Sequence, residues 1–421
     1  MEFIDVRRAF FHAEAIRDVY VELPEEDSEP GMCGKLLKSL YGTRDAAQNW
    51  ETAYGDFMES IGMSRGKASP CIFYHKVRDL RVVVHGDDFT VLGPEGQLDW
   101  FREQIRGRFD VKVRGRMGDG DHDIKSIRIL NRVLTWTPTG ILYEADQRHA
   151  ELIMKGMGIK DGDKSVNTPG YSRPAKERRE SERELDKHEA TQYRGLVARA
   201  NYLAQDRSDI KFAVKELSRW MSAPRQGDWV GLKRLARYLA GCPRAVSVFK
   251  RQRRDKFLVG WSDSDWAGCT TTRKSTSGGI LAIGTHVIKT WSSTQDAIAL
   301  SSGEAEYYAL VKCGSQALGL NAMMEDLGIS FRVHLKTDAS AAQGISARRG
   351  LGKIRHIEVS QLWLQNLVHK GRIGIEKIDG KRNLADALTK AAGSDMVELH
   401  IRGVGLELSR DRHDLNPQLA G

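Results

Sequence analysis

Cysteine is scarce in this chain and never paired along it. Cys33, Cys71, Cys242, Cys269 and Cys313 are scattered through 421 residues with no C-x-x-C spacing. That distribution carries no zinc-site signature and fits a reduced intracellular setting. No apolar run approaches the ~20 residues of a membrane-spanning helix. The opening, MEFIDVRRAFFHAEA, has no basic-then-apolar signal region, so nothing in it directs secretion. What the chain does have is charge: 29% of residues are charged against 40% hydrophobic, with a formal net charge of +9. The basic residues cluster in RGRFDVKVRGR at 106–116, KRQRRDK at 250–256 and SARRGLGKIRH at 346–356. A surface of that kind suits a polyanion such as nucleic acid, although many basic faces are simply solvated.

The length exceeds one compact core, so two or three domains are expected. Residues 1–165 mix strand patterns (CIFYHKV, LRVVVHG, RVLTWTP, GILYEA) with helical ones (GTRDAAQNWETAYGDFMESIG, DQRHAELIMKGMGI). Over 166–190 the chain turns polar and highly charged, the signature of an exposed connection. Three helical runs follow, so 166–255 reads as a linker and a helical region. From 256 to 392 come three strands, a long helix, a strand, a helix and a strand, which predict an α/β layer with a mixed sheet. Residues 393–421 lack clear periodicity and read as a C-terminal tail.

Within this frame the carboxylates stand out. In VVVHGDDFTVL, Asp87 and Asp88 lie between two strand-like runs, and Gly86 is free to take the positive φ of a tight hairpin. Asp and Gly are ordinary turn formers. The alternative is that a rigid hairpin tip holds two carboxylates for a divalent cation, with a third from elsewhere. In the third region Asp263 lies near a strand end and Asp338 directly follows the VHL strand. Glu306 sits early in the long helix, and Asp386 opens a short one. Glu304, three residues after Ser301, fits a capping box, which leaves Glu306 free to face a site. Four carboxylates from four elements at one sheet edge would bind two Mg²⁺ and support phosphodiester cleavage. Singly, each is as well explained as a cap or a solvated group.

Seven stretches occur in an order that resembles the Pol polyproteins of copia-type LTR retrotransposons. They are DVRRAFFHAEAIRDVYVELP, KLLKSLYGTRDAAQNW, VHGDDFTVLG, YRGLVARANYLAQDRSDIKFAVKELSRWMSAP, SDSDWAGCTTTRKSTSGGI, SSGEAEYYAL and NLADALTK. The resemblance runs from residue 1 to about 392. It implies a multidomain α+β fold: a partial reverse transcriptase palm over 1–165, a helical thumb or connection over 166–255, and a ribonuclease H-like domain with a mixed sheet over 256–392. It maps Asp5, Asp87 and Asp88 onto the polymerase triad, with Asp5 and Asp87 holding two Mg²⁺ (or Mn²⁺) and Asp88 supporting them. Phe10 matches the aromatic that packs under the sugar and favours dNTPs; core packing would explain the same residue.

In the ribonuclease H part the resemblance supports Asp263, Glu306, Asp338 and Asp386 as metal-binding and catalytic. Glu306 is preferred to Glu304 because Ala309 completes the Glu-x-x-Ala spacing. Asp265 substitutes for Asp263 if the register is off by two. His356 would contact nucleic acid or aid product release, or serve as a cap. The implied partners are RNA template, DNA primer, RNA–DNA hybrid and dNTPs, without a membrane. The implied setting is intracellular, in a cytoplasmic virus-like particle and in the nucleus.

Three departures qualify this. His85-Gly86 replace the family's Tyr-Val before the paired aspartates, and Ala47 stands where the family has proline. The chain also opens almost on Asp5, whereas the family has a fingers region upstream, so an impaired polymerase and a more complete ribonuclease H are expected. The competing reading is a catalytically inactive retroelement remnant that only binds nucleic acid.

Overall fold

A computed structural model describes residues 1–160, 162–170, 181–352 and 354–419. Of the charged connection expected over 166–190, residues 171–180 lie outside the described residues, as does Lys353 of the third basic cluster. By its internal contacts the chain forms two units. One is Met1–Lys125 with Gly319–Ser330, the other Ser126–Leu318 with Phe331–Gly421. The contact boundary thus falls at Lys125, inside the stretch read as palm.

The first unit is built on β1 (Glu2–Val6), a small β2 (Tyr20–Val21) and β3 (Gly34–Lys35) pair, helix α1 (Ala46–Ser60), and then β4 (Ser64–Arg65), β5 (Ile72–His75), β6 (Leu80–His85), β7 (Asp88–Leu92), α2 (Glu95–Arg108) and β8 (Val111–Arg116). Its main sheet runs β4-β5-β6-β7-β1-β8, antiparallel throughout. Apolar spacing makes α1 a helix: Trp50, Tyr54, Phe57 and Met58 fall on one face and are buried. They join Phe73, Phe89, Phe101 and Phe109 in one core. Gly62, at φ +87°, ends the helix.

The second unit continues with β9 (Ser126–Ile129), β10 (Arg132–Thr137), β11 (Gly140–Glu144), the helices α3 (Arg148–Gly156), α4 (Lys187–Leu203), α5 (Lys211–Ser218) and α6 (Gln226–Gly241), and β12 (Arg244–Lys250). Asp186 and Glu189 close a capping box at the start of α4. Ahead of α5, Arg207 and Asp209, both with fully buried side chains, form a two-pronged ion pair at 2.6–2.9 Å. Tyr238 of α6 donates to the same carboxylate at 2.9 Å.

The second sheet of this unit is built from β13 (Phe257–Ser264), β14 (Thr276–Ile283), β15 (His286–Thr294), β16 (Arg332–Thr337) and β17 (Ile373–Lys377), with helices α7 (Ser302–Asp326, of which 319–326 belong to the first unit), α8 (Ser340–Ala347) and α9 (Trp363–His369) between its strands. Its order is β15-β14-β13-β16-β17, with the first three antiparallel and β13, β16 and β17 parallel. This is the mixed sheet expected over 256–392.

The end of the chain departs from the expected tail. Residues 393–421 contain helix α10 (Ser394–Gly403) and strand β18 (Leu406–Ser409), which pairs with β12 at the edge of the sheet β18-β12-β11-β10-β9. Two short elements are below the length at which periodicity shows. Buried Val397, His400 and Leu406 hold them to the core instead. Among the described residues no helix is long and apolar enough to cross a membrane.

Candidate functional site

The acidic residues of the second unit converge at the end of β13. Ligand oxygens of Asp263, Glu306 and Asp338 all lie within 4.8 Å of one another, the one such group among the described residues. Topology accounts for this. Asp263 is near the C-terminal end of β13, Asp338 follows the parallel neighbour β16, and Glu306 is in the first turns of α7. In open α/β sheets that strand end is where ligands sit.

Asp263 is 5% exposed and accepts from the Thr389 hydroxyl at 2.5 Å and the Asn383 amide at 3.3 Å. Asn383 also donates to the Ser262 carbonyl at 2.9 Å, which fixes its orientation. One Glu306 oxygen accepts from the Ser264 amide at 3.2 Å. The other, Oε2, is buried without a hydrogen-bond partner. Burial pushes Asp263 up to about 7, with repulsion from Asp386 and Asp338 adding to it. Glu306 is pushed up to about 9, again mainly by burial and then by Asp263 and Asp338. Asp338 is raised by burial and by Asp386. Three crowded carboxyl groups, one carrying an orphaned buried oxygen, fit a hard divalent cation such as Mg²⁺, which would take the place of their protons.

Asp386 opens a 3-10 turn, Asp386–Leu388, beside the cluster. It is outside the 4.8 Å group and pairs with Lys390 at 2.6 Å. Glu304 takes the structural role expected of it. Its backbone amide donates to the Ser301 hydroxyl at 3.2 Å, while its carboxylate accepts from the Leu300 amide and the Tyr308 hydroxyl. His356 lies 2.8 Å from the same Glu304 carboxylate, not in the acidic cluster. Asp265 accepts from the Thr276 amide and ties the loop after β13 to β14, which leaves Asp263 as the cluster's member.

Several contributors were not legible beforehand. Gly278 pairs with Asp263 across the sheet. A Cβ there would come within 2.7 Å of Thr389 Cγ2 and 2.9 Å of the Ala385 carbonyl, so only glycine lets the 386–389 turn lie over Asp263. Thr389, Asn383 and Gln295 are placed by long-range folding. Gln295 bridges the Ser264 and Ser277 hydroxyls and the Ala305 carbonyl at 2.8–3.1 Å.

In the first unit, β6 and β7 form a hairpin whose His85↔Asp88 pair encloses Gly86 and Asp87. Gly86 has φ +64° and Asp87 does not have a positive φ, the pattern of a type II′ turn. The Trp50 indole donates to the Gly86 carbonyl at 2.8 Å and anchors the turn to α1. Asp5 stands opposite Asp88 in the β1–β7 register, and the Val6 amide donates to the Asp87 carbonyl. Asp88 pairs with Arg114 at 3.1 Å, and Asp87 is exposed. Asp5 is raised by burial and then by Asp87 and Asp88. These three lie at one end of the neighbouring strands β1 and β7 without gathering as tightly as the other cluster. Phe10 lies in the 3-10 turn Ala9–His12, half-buried, with its ring 4.4 Å from Tyr41.

The first unit's antiparallel sheet with paired aspartates on a hairpin, and the second unit's mixed α/β sheet with a carboxylate cluster, follow the order expected of a reverse transcriptase palm and a ribonuclease H-like domain. A family model described as "Reverse transcriptase (RNA-dependent DNA polymerase)" matches residues 1–119. The Pol polyprotein of transposon TNT 1-94 from Nicotiana tabacum is 26% identical over 419 residues, 96% of this chain and 31% of that protein. The Pol polyprotein of transposon RE1 from Arabidopsis thaliana is 29% identical over 405 residues, 92% of this chain and 26% of that protein. An uncharacterized mitochondrial protein of Arabidopsis thaliana is 32% identical over 242 residues, 54% of this chain and 89% of that protein. The chain belongs to the reverse transcriptase family of copia-type retrotransposon Pol polyproteins, and it spans less than a third of the length of those polyproteins. A solved foamy viral protease–reverse transcriptase in complex with RNA/DNA hybrid aligns over 90% of this chain and 44% of that one, at 11% identity and a TM-score of 0.49.

Proposed function

We propose that the second unit hydrolyses the RNA strand of RNA–DNA hybrids at Asp263, Glu306 and Asp338, using Mg²⁺, with Mn²⁺ as a substitute. The observation that carries this is the convergence of three carboxylates within 4.8 Å, one with a buried, unpartnered oxygen. Two ions would be held by these residues with Asp386 at the margin, and when bound they supply Lewis-acid stabilisation of the phosphodiester's developing charge and an activated water. Thr389 and Asn383 fix the Asp263 carboxylate, and the Ser264 amide fixes one oxygen of Glu306 so that the other faces the site. Asp338 and Glu306 are half-buried, and Asp263 is buried.

The same reading extends to a second site in which Asp5, Asp87 and Asp88 carry Mg²⁺-dependent DNA synthesis from dNTPs on an RNA or DNA template with a DNA primer. The Asp5–Asp88 register and the anchored hairpin support it. Phe10 would bar a 2′-hydroxyl. The polymerase reading is the weaker of the two, because these carboxylates are less tightly gathered. An intracellular setting, in a cytoplasmic particle and in the nucleus, goes with both activities.

The test is cleavage of a labelled RNA strand in an RNA–DNA hybrid, with Mg²⁺, by the parent and by Asp338→Asn. Cleavage by the parent alone supports the assignment. Asp87→Asn should leave cleavage intact and abolish any primer extension, and Asp338→Asn should do the reverse. Equal effects on both activities would sink the two-site model. No cleavage by a folded parent would favour an inactive remnant that only binds nucleic acid.

A further inference from the structure

Each basic cluster has exposed arginines without a carboxylate partner among the described residues, Arg106 and Arg108 in 106–116 and Arg349 and Arg355 in 346–356. Only in 250–256 does this hold for every arginine. In 106–116, Arg114 pairs with Asp88, and Arg116 with Glu2, Glu95 and Asp99. In 346–356, Arg348 donates to the Leu351 carbonyl at 2.6 Å. In 250–256, Arg251, Arg253 and Arg254 are exposed, and none has a carboxylate partner among the described residues.

This last segment joins β12 to β13 and is held at several points. The Arg251 amide donates to the Thr139 carbonyl at 2.6 Å. Gln252 donates to the Ile283 carbonyl and accepts from the Thr285 amide and hydroxyl at 2.8–3.0 Å, which clamps the loop to the β14–β15 turn. Asp255 caps the Phe257 amide at 3.0 Å, and the Lys256 carbonyl accepts from the Arg332 amide at 2.9 Å. The Arg251 guanidinium lies over the Trp136 ring, 5.4 Å from its centroid. Anchoring of this kind removes most of the backbone entropy that ordering a charged loop on a ligand would otherwise cost.

We propose that Arg251, Arg253 and Arg254 grip the sugar-phosphate backbone of a nucleic-acid duplex at the end of β13 opposite the acidic cluster. Guanidinium groups match phosphate in pairs of hydrogen bonds. The spacing suits one ligand: β13 begins at Phe257 and Asp263 lies six residues on, roughly 20 Å at ~3.3 Å per residue. That is the length of about six base pairs at ~3.4 Å each; Leu258, Gly260 and Ser262 between them are buried, so a duplex reaches the arginines around the sheet and not along β13. An acidic protein would meet the same charge, but the acidic cluster on the same strand selects a phosphodiester ligand. The choice of an RNA–DNA hybrid as that duplex rests on the cleavage reading above.

The test is binding of a labelled 24-base-pair RNA–DNA hybrid to the full chain in EDTA, between 50 and 200 mM KCl. R251Q/R253Q/R254Q is compared with the parent, with matching melting curves as the folding control. Loss of three phosphate contacts should make the slope of log affinity against log salt shallower by about 2.7. R253Q/R254Q, which keeps the Trp136 contact, should give about 1.8. An unchanged slope, or no hybrid binding by the folded parent, overturns the proposal. Competition by polyglutamate with an unchanged hybrid slope would assign the loop to an acidic protein and overturn it too. Cleavage is scored separately in Mg²⁺. A parent that binds with the steeper slope but does not cleave supports the grip and refutes the catalytic reading. A parent that cleaves with a slope equal to the variant's does the opposite.

Discussion

Asp263→Asn isolates the energetic penalty of crowding carboxylates without a cation. Asp263 has its pKa pushed from 3.8 up to about 7, chiefly by burial and then by Asp386 and Asp338, against the opposing hydrogen bond from Thr389. The folded chain therefore keeps a proton that the unfolded chain gives up. The resulting loss of stability is absent below about pH 4 and reaches full size above about pH 7. At ~1.4 kcal/mol per tenfold, a displacement of that size is worth about 4 kcal/mol. Asparagine removes this term but misaligns one hydrogen bond from Thr389 or Asn383, for about 1 kcal/mol. The variant should thus gain about 3 kcal/mol at pH 8 in EDTA, or roughly 6–12 °C in melting temperature. At about pH 3, below the carboxyl's unfolded value, the sign should reverse, leaving the variant about 1 kcal/mol less stable. Calorimetry at the two pH values checks both. Added Mg²⁺ should raise the melting temperature of the parent at pH 8 and do less for the variant. Equal destabilisation at both pH values would refute the reasoning.

Gly278→Ala should cost about 1–3 kcal/mol by overpacking against Thr389 and Ala385, and it should slow hybrid cleavage by shifting the turn that carries Asp386; chemical denaturation and the cleavage assay read the two effects. Trp50→Phe keeps the ring in the core but strands the Gly86 carbonyl, so a loss of about 1–2 kcal/mol is expected in urea titration. Arg207→Met leaves Asp209 buried and unpaired, which should cost about 3–5 kcal/mol. Arg207→Met with Asp209→Leu should recover most of that loss, and a double variant as unstable as the single one would contradict the ion-pair account.

Legibility followed the range of the interaction. Helix α1 and the mixed sheet could be read because burial imposes a period on neighbouring residues: Trp50, Tyr54 and Phe57 for the helix, and the apolar runs of β13 and β16 for the sheet. The carboxylates were nameable because each ends or starts an element, but only folding brings Asp263, Glu306 and Asp338 together. Thr389 and Asn383 lie 126 and 120 residues from Asp263 in the chain. No local pattern marks a hydroxyl or an amide that will meet a carboxylate so far away. Gly278 was hidden for a related reason: its role is the space it leaves for another segment, and a strand glycine looks the same whatever approaches it. The expected tail misled because α10 and β18 are too short to show a period.

The two acidic sites are prepared by opposite means, and this bears on how each meets its ion. At the hairpin, Asp87 is exposed and Asp88 already has Arg114 as a countercharge. Solvent and a guanidinium therefore carry much of the charge balance before any cation arrives. In the second unit Lys390, the basic group that acts on Asp263, is paired with Asp386. Asp263 and Glu306 are left to resolve their repulsion by holding protons, with values near 7 and 9. A divalent cation entering there must displace those protons, so its affinity is linked to pH across the neutral range, and the tighter geometry is bought with weaker binding in acid. The site with the better-gathered ligands is thus also the one whose empty state is electrostatically less favourable. That is the arrangement expected where the fold has been shaped around a charge it does not itself supply.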